Sequence, residues 1–416
     1  METTAFTRGD YDVISREYAD LMECARKRCR SKEELDTINK AFELASKAHN
    51  GIRRRNSDPY ILHPIAVAKI VVSDIGLGYK SICAALLHEV MDKAGYAPED
   101  IRAQFGDSIA SLVIGMSGIK AILDKRTLGA NAESTKSEEM IQILLTLGDD
   151  ARIILIKLAD RLHSCRTIEY LPQEQIDKIL TDTKNIFIPL ADRLGLSGIK
   201  SEMENIWLRF NDPKAYFDIT AKVNSSLSNK DEIINDFLVP IHETLRKNGI
   251  EYSFKKRVKT TYSIWNKIQT KHVTFEQISD LFAVRIIFTP PSSYSIQQER
   301  DECYRIFSLI TDIYPYRKDR VRDWVSNPKP NGYECLHLTA IYKDNLNIEV
   351  QIRSSRMDAI ASQGIAAHWN YKKLNPDTEE NKLDKWIARI KEILRSNDSA
   401  DLDMLDFVRN GDKLTI

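Results

Sequence analysis

Apolar positions recur every three to four residues through the first half of the chain, the period of helices that bury one face. Ser31 with Glu34 three residues on predicts a capped helix over Lys32–Ala48. The same spacing predicts helices over Ile65–Asp74, Tyr79–Met91, Pro98–Gln104, Ser108–Lys120, Ser137–Leu147, Ala151–Arg166 and Gln173–Ala191. No segment before about residue 200 alternates as a strand does, so this half is expected to be all-α. Residues 201–223 continue as a helical linker carrying Trp207 and Phe210.

From about Asn224 the pattern mixes two periods. A helix near Asp231–Asn248 is followed by strand-like runs at Tyr252–Lys256, Phe282–Thr289, Cys335–Tyr342 and Asn347–Arg353. Helices are predicted between them, over Thr261–Lys271, Arg300–Tyr314 and Arg356–Lys372. This mixture predicts an α+β domain with a mixed sheet over 224–375, and residues 376–416 follow as a tail with one amphipathic helix over Leu383–Arg395.

Composition narrows the picture only a little. The 60 Lys and Arg residues balance 60 Asp and Glu, so any attraction for an anionic partner must be local rather than global. Cys24, Cys29, Cys83, Cys165, Cys303 and Cys335 include no CxxC pair, which argues against a zinc knuckle or a disulfide framework. The opening METTAFTRGDYD lacks the apolar stretch of a signal peptide, and no apolar run reaches the roughly 20 residues of a membrane span. Cytoplasmic residence and no membrane partner are expected.

Chemistry concentrates in Arg320–His337, RVRDWVSNPKPNGYECLH. Pro and Gly mark a loop there, Arg320, Arg322 and Lys329 call for an anion, and Tyr333 offers a flat face to a base. Upstream, Arg257 and Lys259 share one face of an extended stretch, and Ser263 and Lys267 share one face of the helix that follows. Asp280 stands just before an apolar strand, and Glu349 lies on an alternating one. Cations, a stacking ring and two carboxylates are what phosphoryl chemistry on a nucleotide requires.

The segments RVKTTYSIWNK, SDLFAVRIIF, RVRDWVSNPKPNGYECLH, EVQIR and GIAAHWNYK resemble the synthetase motifs of the long Rel/SpoT (RSH) alarmone enzymes, continuously over about Asn224–Lys373. The resemblance implies a nucleotidyltransferase-like mixed sheet. It also implies transfer of the β,γ-pyrophosphate of ATP to the 3′-hydroxyl of GDP or GTP, giving (p)ppGpp and AMP. Asp280 would then be the Mg²⁺ ligand, and Glu349 a second metal ligand or a base toward the 3′-hydroxyl. Arg257, Lys259, Ser263 and Lys267 would hold ATP. Tyr333 would stack on guanine, with Lys329, Asn331 and His337 completing the acceptor pocket. Arg320-Val321-Arg322-Asp323 resembles the basic form of a motif linked to acceptor choice and leans toward GDP. Ribosome or tRNA contacts would come through regulatory domains outside this chain.

AHNGIRRRNSDPYILHP, LLHE and KLADRLH resemble the HD-type hydrolase half of the same enzymes, over about Ala41–Gly198, so that residues 1–200 would form an HD-type domain. The resemblance offers His49, His88, Glu89 and Asp160 as Mn²⁺ ligands and Arg54 and Arg55 as substrate contacts. The chain departs from the family pattern at Glu89 for Asp, Asp92-Lys93 for a Glu-Asp pair and Ser164 for Asn. Lys93 stands four residues after Glu89, in the favourable order for a helical ion pair that would draw Glu89 away from a metal. The expected function is therefore a GTP/GDP pyrophosphokinase with a degenerate hydrolase half. The alternatives are a bifunctional synthetase/hydrolase and a non-catalytic nucleotide-sensing regulator of the stringent response; intact Asp280 and Glu349 argue against the last.

Overall fold

The computed structural model describes residues 5–125, 150, 152–278, 280–329, 332–343 and 346–363, with side chains at 122–125 and 227–231 set aside. The helix predicted over Ser137–Leu147, the GIAAHWNYK motif, the end of the helix predicted over Arg356–Lys372 and the tail lie outside these residues. The chain forms two compact units: Met1–Val71 with Gly78–Lys157 and Lys372–Ile416, and Val72–Leu77 with Leu158–Tyr371.

The first unit is helical among its described residues: α1 (Arg8–Arg26), α2 (Lys32–Ala48), α3 (Leu62–Ile70), α4 (Tyr79–Leu87), α5 (Val90–Ala94) and α6 (Pro98–Lys125), with α7 (Arg152–Arg166) running across the boundary. Ser31 caps α2 by accepting from the Glu34 N–H at 3.3 Å, as its spacing predicts, whereas the Glu34 carboxylate accepts from Arg30 N–H at 2.7 Å. The apolar α4 packs against α2, α3 and α6. The single helix expected over Tyr79–Met91 is broken: Glu89, at φ −114° and ψ 0°, separates α4 from α5. In α6, Gly106 at φ 79° makes the break expected between two shorter helices.

The second unit continues with α8 (Gln173–Asp182), a wide turn over Thr183–Phe187, α9 (Ile188–Arg193), α10 (Ser197–Asn211) and α11 (Pro213–Lys247). Asp212 precedes Pro213 and caps α11 through Ala215 N–H at 3.0 Å, so α10 and α11 are separate where one linker helix was expected. No break falls at residue 224; α11 passes through it.

Then come β1 (Tyr252–Val258), α12 (Thr261–Lys271), β2 (Phe282–Phe288), α13 (Ile296–Ile313), β3 (Arg322–Asp323), β4 (Leu336–Tyr342), β5 (Leu346–Ser354) and α14 (Ser355–Gln363). The five strands form one mixed sheet in the order β1-β2-β5-β4-β3, with β2 and β5 parallel and the other pairs antiparallel. Side chains alternate between faces. One face carries Phe254, Ile286, Ile352 and Leu336 on one rung and Val284, Val350 and Leu338 on the next. These pack with Phe237, Ile241 and Leu245 of α11 and Cys303, Ile306 and Ile310 of α13. Phe237 is wholly buried in this core, so Phe237→Ala would cost about 3–5 kcal/mol of stability. No helix among the described residues is long and apolar enough to cross a membrane.

Candidate functional site

The opposite face of the sheet is polar, and the strand register builds it. Lys255 of β1 pairs with Arg285 of β2, Arg285 with Gln351 of β5, Gln351 with His337 of β4, and His337 with Arg322 of β3. One polar rung therefore crosses all five strands. The neighbouring rung holds Arg257, Ala283, Glu349 and Thr339. Small Ala283 between Arg257 and Glu349 leaves room above the sheet.

At the β1–β2 end, Lys259 N–H donates to Leu281 carbonyl at 2.9 Å, which extends the ladder and sets Lys259 beside Asp280. Lys259 Nζ lies 2.9 Å from Asp280 Oδ2, and Lys267 Nζ lies 3.0 Å from Oδ1. Burial alone would raise the Asp280 pKa, but the two ammoniums outweigh it and hold the carboxyl down at about 2. Lys267 reaches this point because α12 starts at Thr261, which puts Ser263 in its first turn and Lys267 one turn after Ser263. Thr260 caps the helix by accepting from Ser263 N–H at 3.2 Å, and its hydroxyl donates to Ser263 Oγ at 2.8 Å. Arg257 is exposed on the same side.

At the β4–β5 end, Glu349 Oε1 lies 3.3 Å from His337 Nδ1 and accepts from Gln351 Nε2 at 2.7 Å. His337 Nε2 meets the Tyr333 hydroxyl at 2.9 Å. Burial disfavours the imidazolium, yet Cys335 and Glu349 raise the His337 pKa to about 9. For Glu349 burial acts upward, and the hydrogen bonds from His337 and Gln351 bring the pKa below its ordinary value. A charged His337 is thus the donor to both neighbours. Tyr333 is half-buried, with Lys329 Nζ 5.6 Å from its ring centre and 4.7 Å from that of Trp324. Gly332, at φ 78°, closes the turn by donating to Lys329 carbonyl at 2.8 Å. Asn331 lies outside the described residues. Arg320 ends a short turn over Lys318–Arg320, and Arg322 Nη1 donates to the Asp319 and Val321 carbonyls, each at 3.1 Å.

The motif reading passed over Arg285, Gln351, Arg353 and Asp358. Arg353 is fully buried and paired with Asp358, which also holds Lys255 at 2.9 Å and Arg285 at 3.5 Å. The available signal was an arginine in the middle of FAVRIIF and a second one ending EVQIR: charges in otherwise apolar strands need partners.

In the first unit the geometry differs from the expectation. His88 has a second imidazole beside it, that of His63: the rings of His63 and His88 are 5.3 Å apart, and their ligand atoms lie within 4.8 Å of each other. His49 is buried beside Tyr60, and neither ring nitrogen has a hydrogen-bond partner. His88 Nδ1 faces Ala85 carbonyl at 2.7 Å, so the donating tautomer leaves Nε2 as the lone-pair nitrogen, the arrangement usual for a metal-binding imidazole. Glu89 accepts a short hydrogen bond from Tyr60 and lies 4.0 Å from His63 Nε2. No ion pair joins Lys93 to Glu89 among the described residues; Lys93 Nζ stands 5.6 Å above the Tyr60 ring. The backbone keeps the helical spacing, since Lys93 N–H donates to the Glu89 carbonyl at 2.9 Å, but the Glu89 carboxylate is turned to the Tyr60 hydroxyl. The cation near these carboxylates is Lys120, 2.7 Å from Asp92 and 3.9 Å from Glu89. Arg54 and Arg55 follow Arg53, which is committed to Asp10 at 2.6 Å. Asp160, in the second unit, is buried on α7.

The HD domain profile matches residues 41–197, and a profile described as the region found in RelA/SpoT proteins matches residues 256–376. The chain is 34% identical over 368 residues to a GTP pyrophosphokinase of Myxococcus xanthus, covering 86% of this chain and 47% of that protein. It is 33% identical over 371 residues to the bifunctional (p)ppGpp synthase/hydrolase SpoT of Escherichia coli K12, covering 89% and 51%. It thus spans about half the length of the curated relatives it matches. Among solved structures, small alarmone synthetase 2 of Bacillus subtilis is 27% identical and covers 46% of this chain and 99% of its own, at a TM-score of 0.27.

Proposed function

Because the chain belongs to the RelA/SpoT family, we propose that its mixed-sheet domain is a pyrophosphokinase that moves the β,γ-pyrophosphate of ATP to the 3′-hydroxyl of GDP or GTP. In this step the 3′-oxygen bonds to the β-phosphorus, the bond from that phosphorus to the α,β-bridging oxygen breaks, and AMP leaves. The observation that carries the reading is the polar sheet face with a cation-bound Asp280 at its β1–β2 end and the Glu349–His337–Tyr333 chain at its β4–β5 end.

Arg257, Lys259, Ser263 and Lys267 are assigned to the ATP phosphates. Two ammoniums on one carboxylate leave a net positive charge, and an arriving polyphosphate competes with Asp280 for them. Asp280, ionised across the working range, and Glu349 offer the hard oxygen ligands that suit Mg²⁺, which prefers one or two carboxylates plus phosphate oxygens. When bound, that ion neutralises charge on the phosphates. Glu349 is assigned to the 3′-hydroxyl, which it orients and whose proton it accepts. Tyr333 is assigned to the guanine, Lys329, Asn331 and His337 to the rest of the acceptor nucleotide, and Arg320 and Arg322 to the preference for GDP. Incubation of the protein with ATP and GDP, followed by anion-exchange separation, tests this: (p)ppGpp and AMP should form together.

For the amino-terminal half we assign a weakened 3′-pyrophosphohydrolase. Within the first unit, His49 and His88 are kept as Mn²⁺ ligands of this proposal, and His63, whose ring stands 5.3 Å from that of His88, is added to them. Glu89, bonded to Tyr60, would have to give up that hydrogen bond to act as a ligand, and Arg54 and Arg55 remain the substrate contacts. Lys120 opposes the metal by holding Asp92 and approaching Glu89. One observation favours the bifunctional reading instead: Lys93 Nζ stands 5.6 Å above the Tyr60 ring, and the Glu89 carboxylate accepts from the Tyr60 hydroxyl. Release of pyrophosphate from ppGpp with Mn²⁺ separates the two readings.

A further inference from the structure

The first turn of α12 is held from outside the sheet. Asn205 Oδ1 of α10 accepts from Tyr262 N–H at 3.0 Å, which satisfies a backbone donor that the helix itself cannot. Thr261 Oγ1 lies 3.2 Å from Thr220 Oγ1 of α11. Lys184, from the wide turn before α9, donates a short hydrogen bond to the Tyr262 hydroxyl. Its ammonium also stands 4.4 Å from the Trp207 ring centre and 4.6 Å from that of Tyr262. Trp207, Tyr262 and Trp265 form a cluster with centroids 5.7–6.2 Å apart. Buried Glu204 lies one residue before Asn205, and Lys200 is 3.8 Å from it.

Position matters here because of what α12 carries. Tyr262 precedes Ser263, and Lys267 follows one turn later. A shift of the first turn therefore moves both groups relative to Asp280, whose distance to Lys267 is 3.0 Å. Displacements of about 1 Å are enough to cost large factors in a positioned phosphoryl transfer. Nothing in this contact set touches the Tyr333 end of the sheet.

We propose that Asn205 and Lys184 are positioning residues for the ATP side of the site, acting through Tyr262 to set helix α12, and that α10 thereby controls ATP affinity independently of the guanine nucleotide. The inference rests on the assignment of Lys259, Ser263 and Lys267 to ATP.

The test is nucleotide binding by the full chain, followed through the fluorescence of its tryptophans, two of which lie in this cluster. Asn205→Leu removes the acceptor at similar volume and should weaken ATP binding roughly fivefold, the scale of one lost neutral hydrogen bond. Asn205→Asp keeps the acceptor and should restore parental affinity. Lys184→Met, which keeps the stem and removes the charge, should weaken ATP to a similar extent and serves if Asn205→Leu does not fold. GDP affinity should stay at the parental value in all three. Unchanged ATP affinity in Asn205→Leu and Lys184→Met, equal losses for ATP and GDP, or no recovery in Asn205→Asp would overturn the inference while leaving the proposed function standing. A parent protein that binds neither nucleotide would overturn both.

Discussion

His337 gives a pH signature that few other groups in this protein can imitate. Its ordinary pKa of 6.5 is raised to about 9 in the folded chain, chiefly by Cys335 and Glu349 working against burial. A raised pKa means that the folded state binds the proton more tightly than the unfolded chain. The stabilisation is fully present below about pH 6.5 and is lost as pH climbs through about 9. A shift of that size corresponds to at most about 3 kcal/mol. His337→Gln keeps a polar group on the rung but cannot titrate. In urea unfolding, the parent should exceed the variant by its largest margin near pH 6, and the margin should shrink by roughly 2–3 kcal/mol by pH 9.5. Thiols, tyrosines and lysines also titrate there, but they are common to both proteins and cancel in the difference. A margin independent of pH would refute the charged Glu349–His337 pair, and so would a margin that grows toward alkaline pH.

Tyr333→Ala should weaken guanine-nucleotide binding by roughly 1–3 kcal/mol, the scale of one base stack, with ATP affinity little changed; calorimetric titration with each nucleotide checks it. In the amino-terminal half, ppGpp with Mn²⁺ should yield little pyrophosphate, and partial hydrolysis should return when Glu89→Asp, Asp92→Glu and Lys93→Asp are combined. Lys120→Ala added to that triple variant should raise the rate further, because it removes the cation now 2.7 Å from residue 92; brisk hydrolysis by the unmodified protein, abolished in His63→Ala, would make the enzyme bifunctional.

Much of the synthetase-like domain is legible because its signals are local. Alternation at Asn347–Arg353 and the apolar run at Phe282–Thr289 mark strands close to their observed limits. Lys267 falls on the face of α12 expected from its spacing after Ser263. The rung from Lys255 to Arg322 is not legible, since it exists only once five strands adopt a register set by pairing across the chain. The same limit hides Asn205 and Lys184, whose partner Tyr262 lies far along the sequence. In the helical half, periodicity ran through Tyr79–Met91 without a signal for the break at Glu89, and the Tyr60 hydroxyl that takes the Glu89 carboxylate comes from a distant part of the sequence. His49 and His63 both stand in a quoted motif, and only packing shows that the His63 ring also lies beside His88.

The central claim is tested most directly by one comparison. The unmodified protein and Asp280→Asn are each incubated with ATP, GDP and Mg²⁺, and the products are resolved by anion exchange. The unmodified protein should form ppGpp and AMP in equal amounts, and Asp280→Asn, with its fold verified by circular dichroism, should form neither. Synthesis retained by Asp280→Asn, or no ppGpp from the folded parent protein, would contradict the account.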